Sequence, residues 1–353
     1  MNRHLKPSLI TSFDPRGFLA NDNANPCSST HLFKRLTCET GIEVAAEIYF
    51  LMESDVRQQA PTAKHLDACE YLASLSPEHV RDLAHRVYRC FNHNSVNIIG
   101  CATFFPEVAH SDPQRKEKSR KAIVNTIRFA DHLTTLQSNS NGCSNPVIIE
   151  LVCGSVTQPI EDAETKPQGE KTLQVPILQE PIFSTILDVL SSAIRDSKTQ
   201  RNPQIALELE PGPLFALRNI ETLRQLSMAI KTHPDAKVQQ CVGLNADLAH
   251  WWIAGDIELE TEAAKTPNAD NYFFDLIKHS HISGHHPAGH FGDFGLQHLD
   301  EPTAAKLRSW LQCLANAQPP NYSGFVSVEL EAAFSDREVI DSVKTLIRWI
   351  EAL

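Results

Sequence analysis

The chain has 353 residues, 42% of them hydrophobic and 21% charged, which is ample material for one large core. Its 43 acidic against 32 basic side chains give a formal charge of −11, which repels a polyanion and argues against tight nucleic-acid binding. No apolar run approaches the roughly 20 residues that span a bilayer, and the first residues lead into no apolar signal core, so a cytoplasmic protein without a membrane partner is expected.

Strand-like and helix-like segments alternate in chain order. Residues 7–12 (PSLITS) make the first expected strand, then comes a long loop over 13–30, and 42–50 (IEVAAEIYF) make the second strand. Ser76-Pro77-Glu78 supplies an N-cap followed by proline at the first helical position, and Val80, Leu83, Ala84, Val87 and Phe91 then form one apolar stripe. A third strand over 96–104 (VNIIGCATF), a helix over 116–133 and a fourth strand over 146–153 (PVIIELVC) follow. The polar, Pro-containing stretch 155–180 is long for a connection and reads as an elaborated loop, either a lid on the catalytic face or a surface insertion. Next come a helix over 181–196, a strand over 205–210, a helix over 214–231, a strand over 242–247, a long loop over 251–271, and strands over 277–283 and 325–330. Ser335-Asp-Arg-Glu338 reads as a capping box before Val339, Val343, Leu346, Ile347 and Ile350, so the chain closes on a helix. Eight strand–helix units at a pitch of roughly 45 residues, with strands in the second half mostly apolar on both faces, predict a single-domain (β/α)8 TIM barrel with elaborated loops. The nine cysteines, scattered without a CxxC pair, are expected to be reduced thiols used as small apolar residues.

Four strand-like runs in the second half close on acids or imidazoles, late in the strand where such barrels carry their active sites. Glu208 and Glu210 share a face, as do Glu329 and Glu331, so either member of each pair is a candidate ligand. The position just before Pro211 favours Glu210, and Glu329 is favoured on the eighth strand. Asp247 is a ligand candidate at the sixth strand, and His250, three residues on, a substrate contact. Five histidines fall in the twelve residues from His279 to His290, of which His281 is the best single ligand. His285, His286, His290 and Asp293 are candidate substrate contacts. Three carboxylates and one imidazole suit one divalent metal ion, Mn, Mg, Co or Zn, with positions left open for substrate oxygens, whereas a closed structural zinc site favours Cys.

The succession Glu210-Pro211 after the fifth strand, VGLNADLAH at the sixth, KHSHIS at the seventh and GFVSVE at the eighth resembles the xylose isomerase-like TIM-barrel superfamily of sugar phosphate isomerases and epimerases. The likeness is in register over about 205–331 and holds in element order back to about residue 7. In the hexulose 3-epimerase branch, the corresponding residues bind one metal and the two Glu also shuttle the proton. The resemblance therefore implies Glu210, Asp247, His281 and Glu329 as ligands, Glu210 and Glu329 as acid–base catalysts, and His250 against the substrate. That branch also carries a Glu six residues after the first ligand and an Arg six after the metal-binding His, where this chain has Ala216 and Pro287. His285, His286 and the loop from His290 to Asp293 are the expected replacements.

The implied activity is a metal-dependent isomerase or epimerase acting on a sugar, polyol or related hydroxy-carbonyl compound by proton transfer through an enediolate. The alternatives are a metal-dependent dehydratase, which expels a β-hydroxyl from the same enediolate, and a non-catalytic metabolite-binding barrel. Phosphodiester hydrolysis, as in the apurinic endonuclease branch, is disfavoured because EIYFLME and ATFFPE at the second and third strand ends hold no histidine. A small molecule is the expected partner, and assembly into a homo-oligomer stays open.

Overall fold

Strands that are apolar on both faces are stable only where neither face meets water, and closure of a parallel sheet under a ring of helices meets that demand. The computed structural model describes residues 5–13, 28–50, 61–141, 145–154, 182–212, 215–255, 257–263, 273–284, 294–317, 322–330 and 335–353. Eight parallel strands pair in sequence order and close into a barrel. They are β1 (Lys6–Phe13), β2 (Ala45–Phe50), β3 (Ile98–Phe105), β4 (Ile148–Cys153), β5 (Gln204–Glu208), β6 (Val242–Asp247), β7 (Ile277–Ile282) and β8 (Phe325–Val328), the last pairing back onto β1. All eight expected strands are present, although β2 begins at Ala45 rather than Ile42 and β5 ends at Glu208 rather than Glu210.

The helices are α1 (Ser28–Thr40), α2 (Pro61–Ser74), α3 (Pro77–His93), α4 (Pro113–Asn141), α5 (Ile182–Ser197), α6 (Ile220–Thr232), α7 (Ala236–Cys241), α8 (Leu248–Ala254), α9 (Leu259–Ala263), α10 (Glu301–Ala317) and α11 (Asp336–Glu351). Ser76 caps α3 by accepting from His79 N, and the whole stripe of Val80, Leu83, Ala84, Val87 and Phe91 is buried. Ser335 caps α11 in the same way, accepting from Glu338 N. The helix expected from residue 214 starts only at Ile220, because Asn219 and Thr222 form a reciprocal capping box that fixes its first turn. The expected loop over 251–271 holds the end of α8 and all of α9, while 155–180 lies outside the described residues.

Outward strand residues and inward helix faces make one apolar layer that includes Leu83, Leu133, Ile186, Leu190, Leu226, Leu307, Leu311 and Leu346. Burying each such side chain contributes about 1.5–3 kcal/mol, enough in sum to hold strained polar groups elsewhere. Cys38, Cys69, Cys101, Cys241 and Cys313 are free thiols, but Cys90 is disulfide-bonded, contrary to the expectation that all are reduced. No helix among the described residues is long and apolar enough to cross a membrane.

One lysine breaks the apolar pattern. Lys278 on β7 is buried, with Nζ 2.7 Å from Gln204 Oε1 and 3.1 Å from the Gln240 carbonyl. Gly243 makes its path, since a Cβ there would lie 2.8 Å from Lys278 Cε and 2.2 Å from the Leu276 carbonyl. Burial pushes the Lys278 ammonium down from 10.5 to about 8. Between those two values the unfolded chain holds a proton that the folded one has lost, so folding becomes more favourable as pH rises through the window. The stability of the wild type relative to Lys278→Met should therefore be flat below about pH 8 and rise by on the order of 3 kcal/mol by about pH 10.5, as read by urea unfolding at each pH.

Candidate active site

Side chains alternate along a strand, so each of the eight strands sends every second residue into the barrel lumen. Glu47 on β2 lies 2.9 Å from His279 Nε2 and 3.1 Å from His281 Nε2 on β7, strands that are not neighbours, so these groups meet across the lumen. Ser327 on β8 adds a hydroxyl that donates to the same Glu47 oxygen at 2.6 Å. A Cβ on Gly100 would stand 2.9 Å from Glu47 Oε1, so β3 needs glycine where this carboxylate passes. Burial pushes the Glu47 carboxyl up, but His279 and His281 outweigh it and hold the group well below the usual carboxylate range.

Nearer the C-terminal ends of the strands, Glu208, Asp247, His281 and Glu329 each bring one ligand atom to within 4.8 Å of all the others. His281 Nδ1 is 3.0 Å from Glu329 Oε2 and 3.5 Å from Glu208 Oε1. Asp247 caps α8, its Oδ1 accepting from His250 N at 2.7 Å, while its buried Oδ2 has no hydrogen-bond partner. Glu208 Oε1 is likewise buried without one, with His281 Nδ1 at 3.5 Å and His250 Nδ1 at 3.6 Å. Among the described residues no Lys or Arg pairs with Glu208 or Asp247. Burial pushes His281 down, but Glu47 and then Glu208 hold it well above the usual imidazole value. Three carboxylates around one imidazole nitrogen thus demand a positive charge at that point, whether a proton or a metal cation.

Of the four ligands favoured from the sequence, the fold brings together Asp247, His281 and Glu329. The fourth corner is Glu208, and Glu210 lies outside it: β5 ends at Glu208, and Glu210 N turns away to bond the Leu217 carbonyl. Glu210 instead stands beside His250, with Oε2 3.8 Å from His250 Nδ1. His250 sits at the edge of the cluster, between the two glutamates. His285, His286, His290, Asp293 and Glu331 lie outside the described residues.

Sequence reasoning misses Glu47 and Glu150, because it weighs the strand ends of the second half. Their signal is a lone acid inside an otherwise apolar strand, AAEIYF and IIELVC, where an unpartnered charge is too costly to be accidental. Burial and the neighbouring Glu208 push the Glu150 carboxyl well above the usual carboxylate range, whereas at Glu208 burial is outweighed by His281 and His250, which hold it below that range.

No family model matches the chain, and no curated protein does. Among solved structures, it is similar to D-allulose 3-epimerase from Methylomonas sp. in complex with D-allulose, at 11% identity and a TM-score of 0.53, covering 98% of this chain and 96% of that one. A D-tagatose 3-epimerase-like protein matches at 14% identity and a TM-score of 0.51, covering 99% and 98%. Endonuclease IV from Thermus thermophilus matches at 13% and 0.50, covering 99% and 100%. These likenesses, spanning the length of both chains, show the barrel fold.

The unpartnered Asp247 oxygen sets a stability test. Asp247→Asn keeps the α8 cap and removes one repelling charge, so in chelator it should melt a few degrees above the wild type, about 1 kcal/mol or more. Asp247→Ala loses the cap and should melt below Asp247→Asn in the same calorimetric scan.

Proposed function

On a barrel with the fold of the xylose isomerase-like superfamily, we propose a divalent-metal-dependent isomerase or epimerase for sugars, polyols or related hydroxy-carbonyl compounds. The observation that carries this reading is the buried meeting of Glu208, Asp247, His281 and Glu329, with one oxygen of Asp247 left without a partner. The donor set fits the ion: three carboxylates and one imidazole, without thiolate, match Mn, Mg, Co or Zn in an open site. Glu208 takes the place among the ligands that the sequence had favoured for Glu210.

A cation held there supplies a Lewis acid for a substrate carbonyl. The chain's own residues supply the rest. Glu208 and Glu329 come from strands on either side of β6 and β7, so one carboxylate can take a proton from carbon while the other returns one from a different side. His250, partly exposed and beside both Glu208 and Glu210, is suited to hold a substrate hydroxyl or the oxygen on which charge develops. Glu210, half-buried at the rim, faces the same entrance and is assigned to substrate rather than to the ion. Neither Ala216 nor Leu214, six residues beyond Glu210 and Glu208, is acidic, so the Glu that the hexulose epimerase branch carries there is missing or replaced, and the substrate need not be a hexulose.

The test is metal analysis of the purified protein, followed by a polyol and keto-sugar panel in deuterated water read by mass spectrometry. A product of unchanged composition that has gained one deuterium at carbon is expected; loss of a water molecule would mark a dehydratase instead. Glu208→Ala and Glu329→Ala should abolish metal binding and lower turnover at least about 1,000-fold, whereas Glu210→Ala should keep the metal and raise KM. A Glu208→Ala protein with undiminished metal affinity would remove that residue from the site.

A further inference from the structure

Glu47 lies outside the four-residue cluster yet touches it through His281, whose two ring nitrogens face different groups. Nδ1 is directed at Glu329 and Glu208, while Nε2 is 3.1 Å from Glu47 Oε2. We propose that Glu47 is a positioning residue: by accepting the Nε2 proton of His281 it reserves the Nδ1 lone pair for a cation shared with Glu208, Asp247 and Glu329. This rests on the metal reading above.

Three groups converge on one oxygen of Glu47. Oε2 lies 2.9 Å from His279 Nε2 and 3.1 Å from His281 Nε2 and accepts from Ser327 Oγ at 2.6 Å, so a proton on His281 Nε2 finds an acceptor there. Ser8 Oγ, 2.8 Å from Ser327 Oγ, then donates to that hydroxyl, and His279 Nδ1 lies 3.0 Å from Ser323 Oγ. Glu47, His279, His281 and Ser327 are all buried, so water does not compete. Gly100 leaves the space into which Glu47 fits. A ligand imidazole held at its other nitrogen by a carboxylate has its tautomer and ring plane set in advance, and loss of such a partner weakens metal binding about 10- to 100-fold. The same three side chains, Glu47, His279 and His281, also lie close enough to hold an ion of their own, an alternative that the stoichiometry of binding separates.

The experiment is zinc titration by calorimetry together with nitrogen-15 spectra of the His281 ring, on the full chain and on Glu47→Gln and Glu47→Leu. The wild type should bind zinc through Nδ1 with the proton on Nε2. Glu47→Gln, whose carbonyl still accepts, should keep that tautomer and lose less than about tenfold in affinity, whereas Glu47→Leu should lose about 10- to 100-fold at unchanged stoichiometry. Undiminished affinity in Glu47→Leu overturns the assignment, and so does loss of one of two bound ions, which would make Glu47 a ligand. If Glu47→Leu does not fold, the wild-type spectrum decides, because zinc on Nε2 is incompatible with the proposal. A wild type that binds no zinc overturns the metal reading instead, and its metal-free spectrum separately shows whether Glu47 holds the Nε2 proton.

Discussion

Negative charge in a closed lumen must find its counterpart inside the protein, because bulk water is excluded and the low dielectric magnifies every unpaired group. Glu47, Glu150, Glu208 and Asp247 are all buried in this barrel, and Glu329 stands only slightly more open. Around Glu47, two imidazoles and a serine converge on one oxygen, while its other oxygen and Oε1 of Glu150 are buried without a partner. The four-residue cluster has fewer donors. Glu208, Asp247 and Glu329 share one imidazole nitrogen among them, and an Asp247 oxygen is left over. Three donors for one carboxylate at Glu47, against one imidazole nitrogen for three carboxylates in the cluster, is the difference that gives the site its chemical character.

The apolar ring between strands and helices is what makes the deficit tolerable. Closure removes sheet edges, the helices cover the outer faces, and glycine at positions 100 and 243 admits the Glu47 carboxylate and the Lys278 chain where any side chain would collide. Stability is thus concentrated outside the lumen and strain within it, a distribution that lets the interior carry groups selected for chemistry rather than packing.

Much of the architecture is written in local signals. Ser76-Pro77 and Ser335 cap helices as their residue types dictate, and short, largely apolar runs mark the eight strands. Asp247, His281 and Glu329 were legible because acids and imidazoles at several strand ends of a parallel barrel converge on one mouth. The choice between Glu208 and Glu210 was not, since alternation puts both on one face and the end of β5 depends on its pairing with β6, where Glu208 sits opposite Asn245. Glu47 was hidden for another reason: its partners are more than 200 residues away on β7, and only closure of the barrel brings them together. The fold itself is compatible with quite different chemistry, being shared at similar likeness by sugar epimerases and an endonuclease, so the reading of function rests on lumen side chains.

Asp247 answers to two masters. One oxygen anchors the first turn of α8 through the His250 amide, and the other faces the cluster. Glutamate would overreach the amide, asparagine would satisfy the helix but bring no charge, and serine would cap without bringing a carboxylate to the cluster. Few substitutions can serve both. Asp247 also ties the backbone at His250 to the geometry of the cluster, so a shift of this one carboxylate is felt at the first turn of the helix.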